Sequence, residues 1–209
     1  MTMTSKARTS GGTALSVLTD EDLGSAAQRD RRKRILDATI ALASKGGFEA
    51  VQMRAVAERA DVALGTLYRY FPSKIHLLVS GLARELEGGQ ERLERSTIPG
   101  DTPYERVHSM LGRLTRAMQR DPHLTEAMTR AFMFADASAA TEVDNVGRLM
   151  DRMFTRAMHE GEPTDTDRAI ARVITDVWLS NLVAWVTRRA SATDVHDRLE
   201  LTVRLLLRP

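Results

Sequence analysis

Cysteine is absent from the 209 residues, which excludes a disulfide framework and any thiolate metal site and makes a reducing cytoplasm the expected compartment. An apolar run near the start is also missing. Met1 to Ser25 carries none, so no secretory signal is expected. The longest greasy stretch, Val173 to Val186, is interrupted by Asp176 and Asn181 and reads as too short to span a bilayer. No alternating run marks a strand, and no internal repeat is visible. Catalytic spacings are lacking as well. His76, His108, His123, His159 and His196 are scattered, no pair has HExxH spacing, and neither GxSxG nor GxGxxG occurs. Neither an enzyme nor a metal centre is expected from these residues.

What is present is unevenly charged. The formal net charge is only +2, yet residues 25–80 hold ten Lys/Arg against five Asp/Glu, a local +5, while residues 1–24 carry −1 and residues 81–209 carry −2. The whole positive excess lies in one segment, as expected if that part alone faces a polyanion. Arg29, Arg31, Arg32, Lys33 and Arg34 form its densest run. The plainer alternative for such a run is a solvated helix end.

The chain divides into residues 1–24, a Thr-, Ser- and Gly-rich stretch that reads as a disordered tail; residues 25–72, a basic head; and residues 73–209, a larger helical body. In the head, a helix capped by Ser25 should run to Lys45, with Ile35, Ala38, Thr39 and Leu42 as its inner stripe and Gly46–Gly47 as its stop. Met53, Val56, Ala57 and Ala60 then share one helical face. Asp61 tolerates the left-handed backbone of a tight corner, and Val62 can plug the space beneath it. A second short helix begins near Leu64. Its Gly65, Thr66, Leu67, Tyr68, Arg69 and Tyr70 combine small residues with hydroxyls and a guanidinium suited to phosphates or base edges. This is a helix-turn-helix pattern.

In the body, Pro72 and Ser73 stop one helix and cap the next, which carries Ile75, Leu78, Val79, Leu82 and Leu86 and is expected to kink or break at Gly88–Gly89. Thr102–Pro103 and Asp121–Pro122 start two more. A turn follows at 135–140. After it, a wide apolar face runs from Val143 to Met158, a long helix covers 165 to 189, and a last helix starts near Thr193. The fold class is all-α, with about nine helices.

The stretch RAVAERADVALGTLYRYFPSK, with KRILDATIALASKGGFEAV before it, resembles the TetR family of helix-turn-helix regulators, continuously over roughly Arg29 to Leu78. The resemblance implies a three-helix DNA-binding head on a helical ligand-binding and dimerisation body. It places Thr66, Tyr68, Tyr70 and Lys74 where family members contact DNA, mostly its backbone, and Arg54 near phosphates. Leu64, Arg69, Arg31 and Arg32 complete the expected DNA-binding set, with Leu64 and Tyr68 as candidates to read bases. Gln52, Asp61, Ala63 and Leu64 depart from the family pattern at the helix starts. MQRDPHLTEAMTRAF, DVWLSNLVAWVTRRASATDV and AAQRDRRKRILDAT further resemble the actinobacterial KstR-type regulators of sterol catabolism. That likeness implies a repressor released by a steroid-derived acyl-CoA thioester.

Leu82, Leu86, Met110, Leu111, Leu114, Met118, Met128, Phe132, Phe154, Trp178, Asn181 and Trp185 are the candidate ligand-binding residues. Flexible thioethers suit an adaptable apolar cavity, although a Met stripe at helical spacing is more often plain core. Asn181 stands out as an amide on an apolar face, where a ligand carbonyl could satisfy it, or more simply an intrahelical or dimer-interface hydrogen bond. No cofactor is expected beyond an effector. The expected partners are double-stranded operator DNA, a hydrophobic small molecule, and a second copy joined through the last two helices, about 165–208, with no membrane. Such a protein would be cytoplasmic and would lie on the nucleoid when bound to DNA. The rival readings are a regulator answering another hydrophobic ligand or a fatty acyl-CoA, and an architectural DNA-binding protein without effector.

Overall fold

The structure is a computed structural model that describes residues 25–159 and 161–208; the tail expected at 1–24 lies outside them. Among the described residues every regular element is helical: α1 (Ala26–Ala50), α2 (Met53–Arg59), α3 (Leu64–Tyr70), α4 (Lys74–Glu94), α5 (Pro103–Arg120), α6 (Pro122–Met133), α7 (Ala140–Met158), α8 (Asp165–Val186) and α9 (Ala192–Leu207). One 3-10 turn, Ala137–Ala139, leads into α7.

Local chemistry sets most of the boundaries. Ser25 with Gln28, Thr102 with Glu105, Thr164 with Asp167 and Ser191 with Asp194 form reciprocal capping boxes at the starts of α1, α5, α8 and α9. Pro103 and Pro122 occupy first helical positions, where a missing N–H costs nothing. In α1 the backbone leaves helical geometry at Gly46 and Gly47 (φ 65°), as the glycine pair predicts, and one further turn follows to Ala50. The expected break at Gly88–Gly89 does not occur. α4 runs straight through, held on both sides of the pair by buried Leu86 and Leu93.

The head and body are not separately cored. One continuous apolar cluster runs from Ile35, Val56 and Phe71 through Leu77 and Leu78 to Met150, Trp178 and Val203. α1 lies most extensively against α6, and α4 joins α1, α6 and α7. α8 is shorter than expected, ending at Val186, because Arg188 turns into a left-handed conformation (φ 59°). Its most apolar 18-residue window has a mean hydropathy of 1.3, so by length and composition alone it could cross a membrane. It serves instead as a core helix, packed on α6, α7 and α9 with Ala171, Ile174, Trp178 and Leu182 buried.

Candidate DNA-binding face and effector cavity

The corner between α2 and α3 is built by backbone hydrogen bonds. Val62 N–H donates to the Ala57 carbonyl at 3.0 Å and Asp61 N–H to the Glu58 carbonyl at 3.2 Å. Asp61 sits at φ 52°. This is the Schellman arrangement, with aspartate at the left-handed position that glycine usually takes. Neither Gln52 nor Ala63 makes a side-chain cap bond, so α2 and α3 start without the usual Ser or Thr. A guanidinium from α1 serves the other end of α2: Arg34 Nη1 donates to the Ala60 carbonyl at 2.5 Å and reaches that of Asp61 at 3.5 Å.

The expected DNA-binding residues do not all share one open surface. Arg54, Arg69 and Tyr68 are exposed, Tyr68 by 47%, and Thr66 is half-buried. Tyr70 is corrected: it is only 4% exposed, its ring beside Phe71, and it belongs chiefly to the core of the head. Leu64 is likewise half-buried against the core, so it is not a freely projecting base reader. Arg31 and Arg32 are half-buried, and the Arg32 guanidinium lies 5.7 Å from the Phe71 ring centre.

Lys74 marks the junction of head and body. Its ammonium sits 3.8 Å from the centre of the Phe48 ring, which the Arg130 guanidinium also approaches at 4.5 Å. Burial pushes the Lys74 pKa down; Glu49 and Glu126 oppose that shift and Arg130 adds to it. From α6, Glu126 accepts the Phe48 N–H at 2.9 Å, and Arg130 pairs with Glu49 at 3.0 Å. His76, two residues past Lys74, ties the start of α4 to the turn before α7. Its Nδ1 accepts from the Ser73 hydroxyl at 2.8 Å while Nε2–H donates to the Ser138 carbonyl at 3.0 Å, the tautomer that the carbonyl requires. Sequence periodicity gave no sign of this junction, because Phe48 and Glu126 lie 78 positions apart.

The body holds a cavity with about 1000 Å³ of empty space, its mouth included, between α4, α5, α6, α7 and α8. Leu82, Leu86, Leu114, Met118, Met128, Phe132 and Trp178, all expected at a ligand site, line it. The other five do not. Met110, Leu111 and Phe154 are buried in close-packed core, and Trp185 lines a small neighbouring crevice. Asn181 also stands apart from the cavity; its Nδ2 donates to the Val177 carbonyl at 2.8 Å, while its buried Oδ1 has no partner among the described residues. Residues outside the expected set include Met150 and Met153 from α7, Thr125 and Thr129 from α6, Leu179 and Leu182 from α8, and Arg92 at the rim. The Thr125 hydroxyl is spent on the Met118 carbonyl at 3.0 Å, which leaves the walls mainly apolar.

Beside the cavity, α5 turns a different face outward. Arg113, Arg116, Gln119 and Arg120 line an open groove, and none of the three guanidiniums pairs with a carboxylate among the described residues. The same helix gives Leu114, Ala117 and Met118 to the cavity. On the far side of the body, Val173 of α8 and Leu201 and Leu205 of α9 expose large apolar side chains, Leu205 by 70%. Such a face on two adjacent helices suits a two-fold partner.

Comparison with known proteins agrees with this geometry. Residues 35–80 match the family described as bacterial regulatory proteins, tetR family, and residues 100–206 match the tetracyclin repressor-like C-terminal domain. The HTH-type transcriptional repressor KstR of Mycolicibacterium smegmatis is 70% identical over 195 residues, covering 93% of this chain and 96% of that protein. A TetR transcriptional regulator from Rhodococcus sp. RHA1 superposes with a TM-score of 0.77 at 33% identity, over 88% of this chain and 98% of that one. FadR of Thermus thermophilus, in complex with lauroyl-CoA, shares the fold alone, with a TM-score of 0.65 at 23% identity over 84% and 93% of the two chains.

Proposed function

Because the chain belongs to the TetR family of transcriptional regulators, among its KstR-type repressors, we propose that it binds a palindromic operator as a homodimer and is released by a steroid-derived acyl-CoA, controlling sterol catabolism genes. The carrying observation is the division of α5. One face borders an apolar cavity, and the next presents in an open groove three arginines that pair with no carboxylate among the described residues. A ligand with a rigid apolar body and a polyphosphate tail matches both faces: fused rings remove apolar surface from water in the cavity, and guanidiniums meet phosphate oxygens at the rim. Arg92, an exposed residue of the cavity lining, adds a further cation there.

The protein acts as a regulator rather than an enzyme, in the cytoplasm and on the nucleoid when bound to DNA. Two heads on a two-fold dimer place their α3 helices in successive major grooves, about 34 Å apart or a multiple of it. The exposed face of Val173, Leu201 and Leu205 supports pairing through α8 and α9. Release requires that ligand favour a head spacing the operator does not fit, since equal affinity for both states shifts nothing. α6 suits the transmission: Leu124, Met128 and Phe132 line the cavity while Glu126 and Arg130 hold Phe48 and Glu49 of the head.

A fatty acyl-CoA is the second reading, favoured by the lauroyl-CoA in the FadR fold relative. Calorimetric titration of the full chain separates the two. A steroid-derived CoA thioester should bind more tightly than a long-chain fatty acyl-CoA, and the free steroid acid more weakly than its thioester. Equal affinity for acid and thioester would overturn the role given to the α5 arginines.

A further inference from the structure

We propose that His108, His196 and Glu200 form a binding site for a divalent transition metal, zinc or a metal of like preference, that ties α5 to α9. One donor atom from each of the three residues lies within 4.8 Å of the others. They come from two helices in contact: His108 from α5, and His196 with Glu200 from α9. The α9 pair is spaced by four residues, which puts both on one side of the helix, one turn apart. Leu205, nine residues past His196, projects from the other side, so the cluster and the exposed apolar face do not compete for the same surface.

The decisive group is His108. Its Nε2 is buried and has no hydrogen-bond partner. A buried imidazole nitrogen left in this way costs free energy unless something satisfies it. Tyr104 stacks along the ring, 6.0 Å between centres and 14° from parallel, and His196 meets it edge-on with centres 5.7 Å apart. These contacts orient the imidazole without using its nitrogen. His196 Nε2 and Glu200 Oε2 lie 4.0 Å apart, beyond hydrogen-bond distance, so they do not satisfy each other directly either.

Two imidazoles and one carboxylate are a zinc donor set, with water in the fourth position. Calcium and magnesium require more oxygen ligands than this cluster offers. Tetrahedral ligation places donors roughly 3.3 Å apart, so the atoms must close by up to about 1.5 Å. His196 and Glu200 have the freedom for it, their side chains being 50% and 39% exposed. The sequence concealed the site because His108 and His196 lie far apart in the chain and only the packing of α5 on α9 unites them.

The test uses the full-length, tag-free dimer stripped with chelator and titrated with cobalt(II) or zinc(II) alone. One cobalt per chain, with the intense visible bands of low-coordinate cobalt and displacement by zinc, is expected, together with a higher melting temperature in zinc but not in magnesium. His196→Gln and Glu200→Gln, at half-exposed positions, should each weaken zinc binding at least tenfold, on the order seen for lost metal contacts, with metal-free melting unchanged. His108→Asn should abolish it, while His123→Gln should leave it intact. No cobalt bands, or zinc affinity unchanged in both α9 variants, would overturn the site. Those two variants decide the matter even if His108→Asn fails to fold.

Discussion

Arg34 and Ala60 meet across the corner of the helix-turn-helix: the guanidinium Nη1 of the first helix donates to the carbonyl that ends the second, at 2.5 Å. The contact ties α1 to the corner through which α2 delivers α3, and it satisfies a carbonyl at the C-terminal end of α2. Arg34→Ala should destabilise the protein by about 1.5 kcal/mol, the scale of a charged hydrogen bond. Operator affinity should fall while affinity for effector stays unchanged, as read by urea unfolding, anisotropy on operator DNA and calorimetry. Loss of effector binding alongside would contradict a role confined to the head.

Asp61, next along that corner, holds a left-handed backbone at φ 52°. Asp61→Gly should leave stability unchanged or raise it by up to about 1 kcal/mol, and Asp61→Val should cost about 1–2 kcal/mol, because a β-branched residue resists that conformation. Gly47 (φ 65°) is stricter. A methyl group there would lie 2.7 Å from Glu126 Oε2, so Gly47→Ala combines strain with loss of the Phe48 N–H bond to Glu126. Its melting temperature should drop more than that of Glu126→Ala, which loses that bond and a part-exposed ion pair with Arg130 but adds no backbone strain.

Lys74 carries an electrostatic cost. Burial lowers its pKa, so the folded protein holds that proton less readily than the unfolded chain. Stability therefore rises with pH between the depressed folded value and the ordinary 10.5, and below that window the buried charge is a standing cost. The Phe48 ring, 3.8 Å away, offsets part of it. Lys74→Met should flatten the rise in melting temperature at alkaline pH. It should also weaken binding to operator and random DNA alike and reduce the salt slope by about one, as loss of a phosphate contact requires.

The capping carboxylates act at the other end of the pH scale. Hydrogen bonds from the Thr164 hydroxyl and backbone N–H hold Asp167 below its ordinary 3.8, and those from Ser191 do the same for Asp194. Their stabilisation is complete above the unfolded value and is lost as pH falls through the lowered folded one. Asp194→Asn should therefore show a shallower loss of melting temperature below about pH 4, the carboxylate range.

The sequence disclosed what is local. Pro103, Pro122 and the Ser and Thr caps mark helix starts by removing or satisfying specific backbone donors, and Asp61 announces its left-handed corner by residue type alone. It could not separate cavity wall from packed interior. Met110 and Met118 share a helix and a chemistry, yet one is core and the other faces empty space, since that depends on how α7 and α9 approach α5. Arg34 at the corner, Glu126 beneath Phe48 and His108 against His196 are all unions between distant segments, and periodicity within one helix carries no signal of them. Gly88–Gly89 shows the converse: packing overrode a local weakness, with Leu86 and Leu93 buried on either side of the pair.

The central claim is that one ligand occupies both the cavity and the arginine groove and thereby frees the operator. The direct measurement is anisotropy of labelled operator, bound to the full-length dimer, titrated with a steroid-derived CoA thioester. A parallel titration uses the Arg113→Ala, Arg116→Ala, Arg120→Ala variant. Saturating thioester should release operator from the parent protein. The variant should bind operator as before yet need at least tenfold more thioester for release, the scale of losing one or more charge-assisted phosphate contacts. Unchanged operator affinity at saturating ligand, or equal sensitivity of variant and parent, would contradict the account.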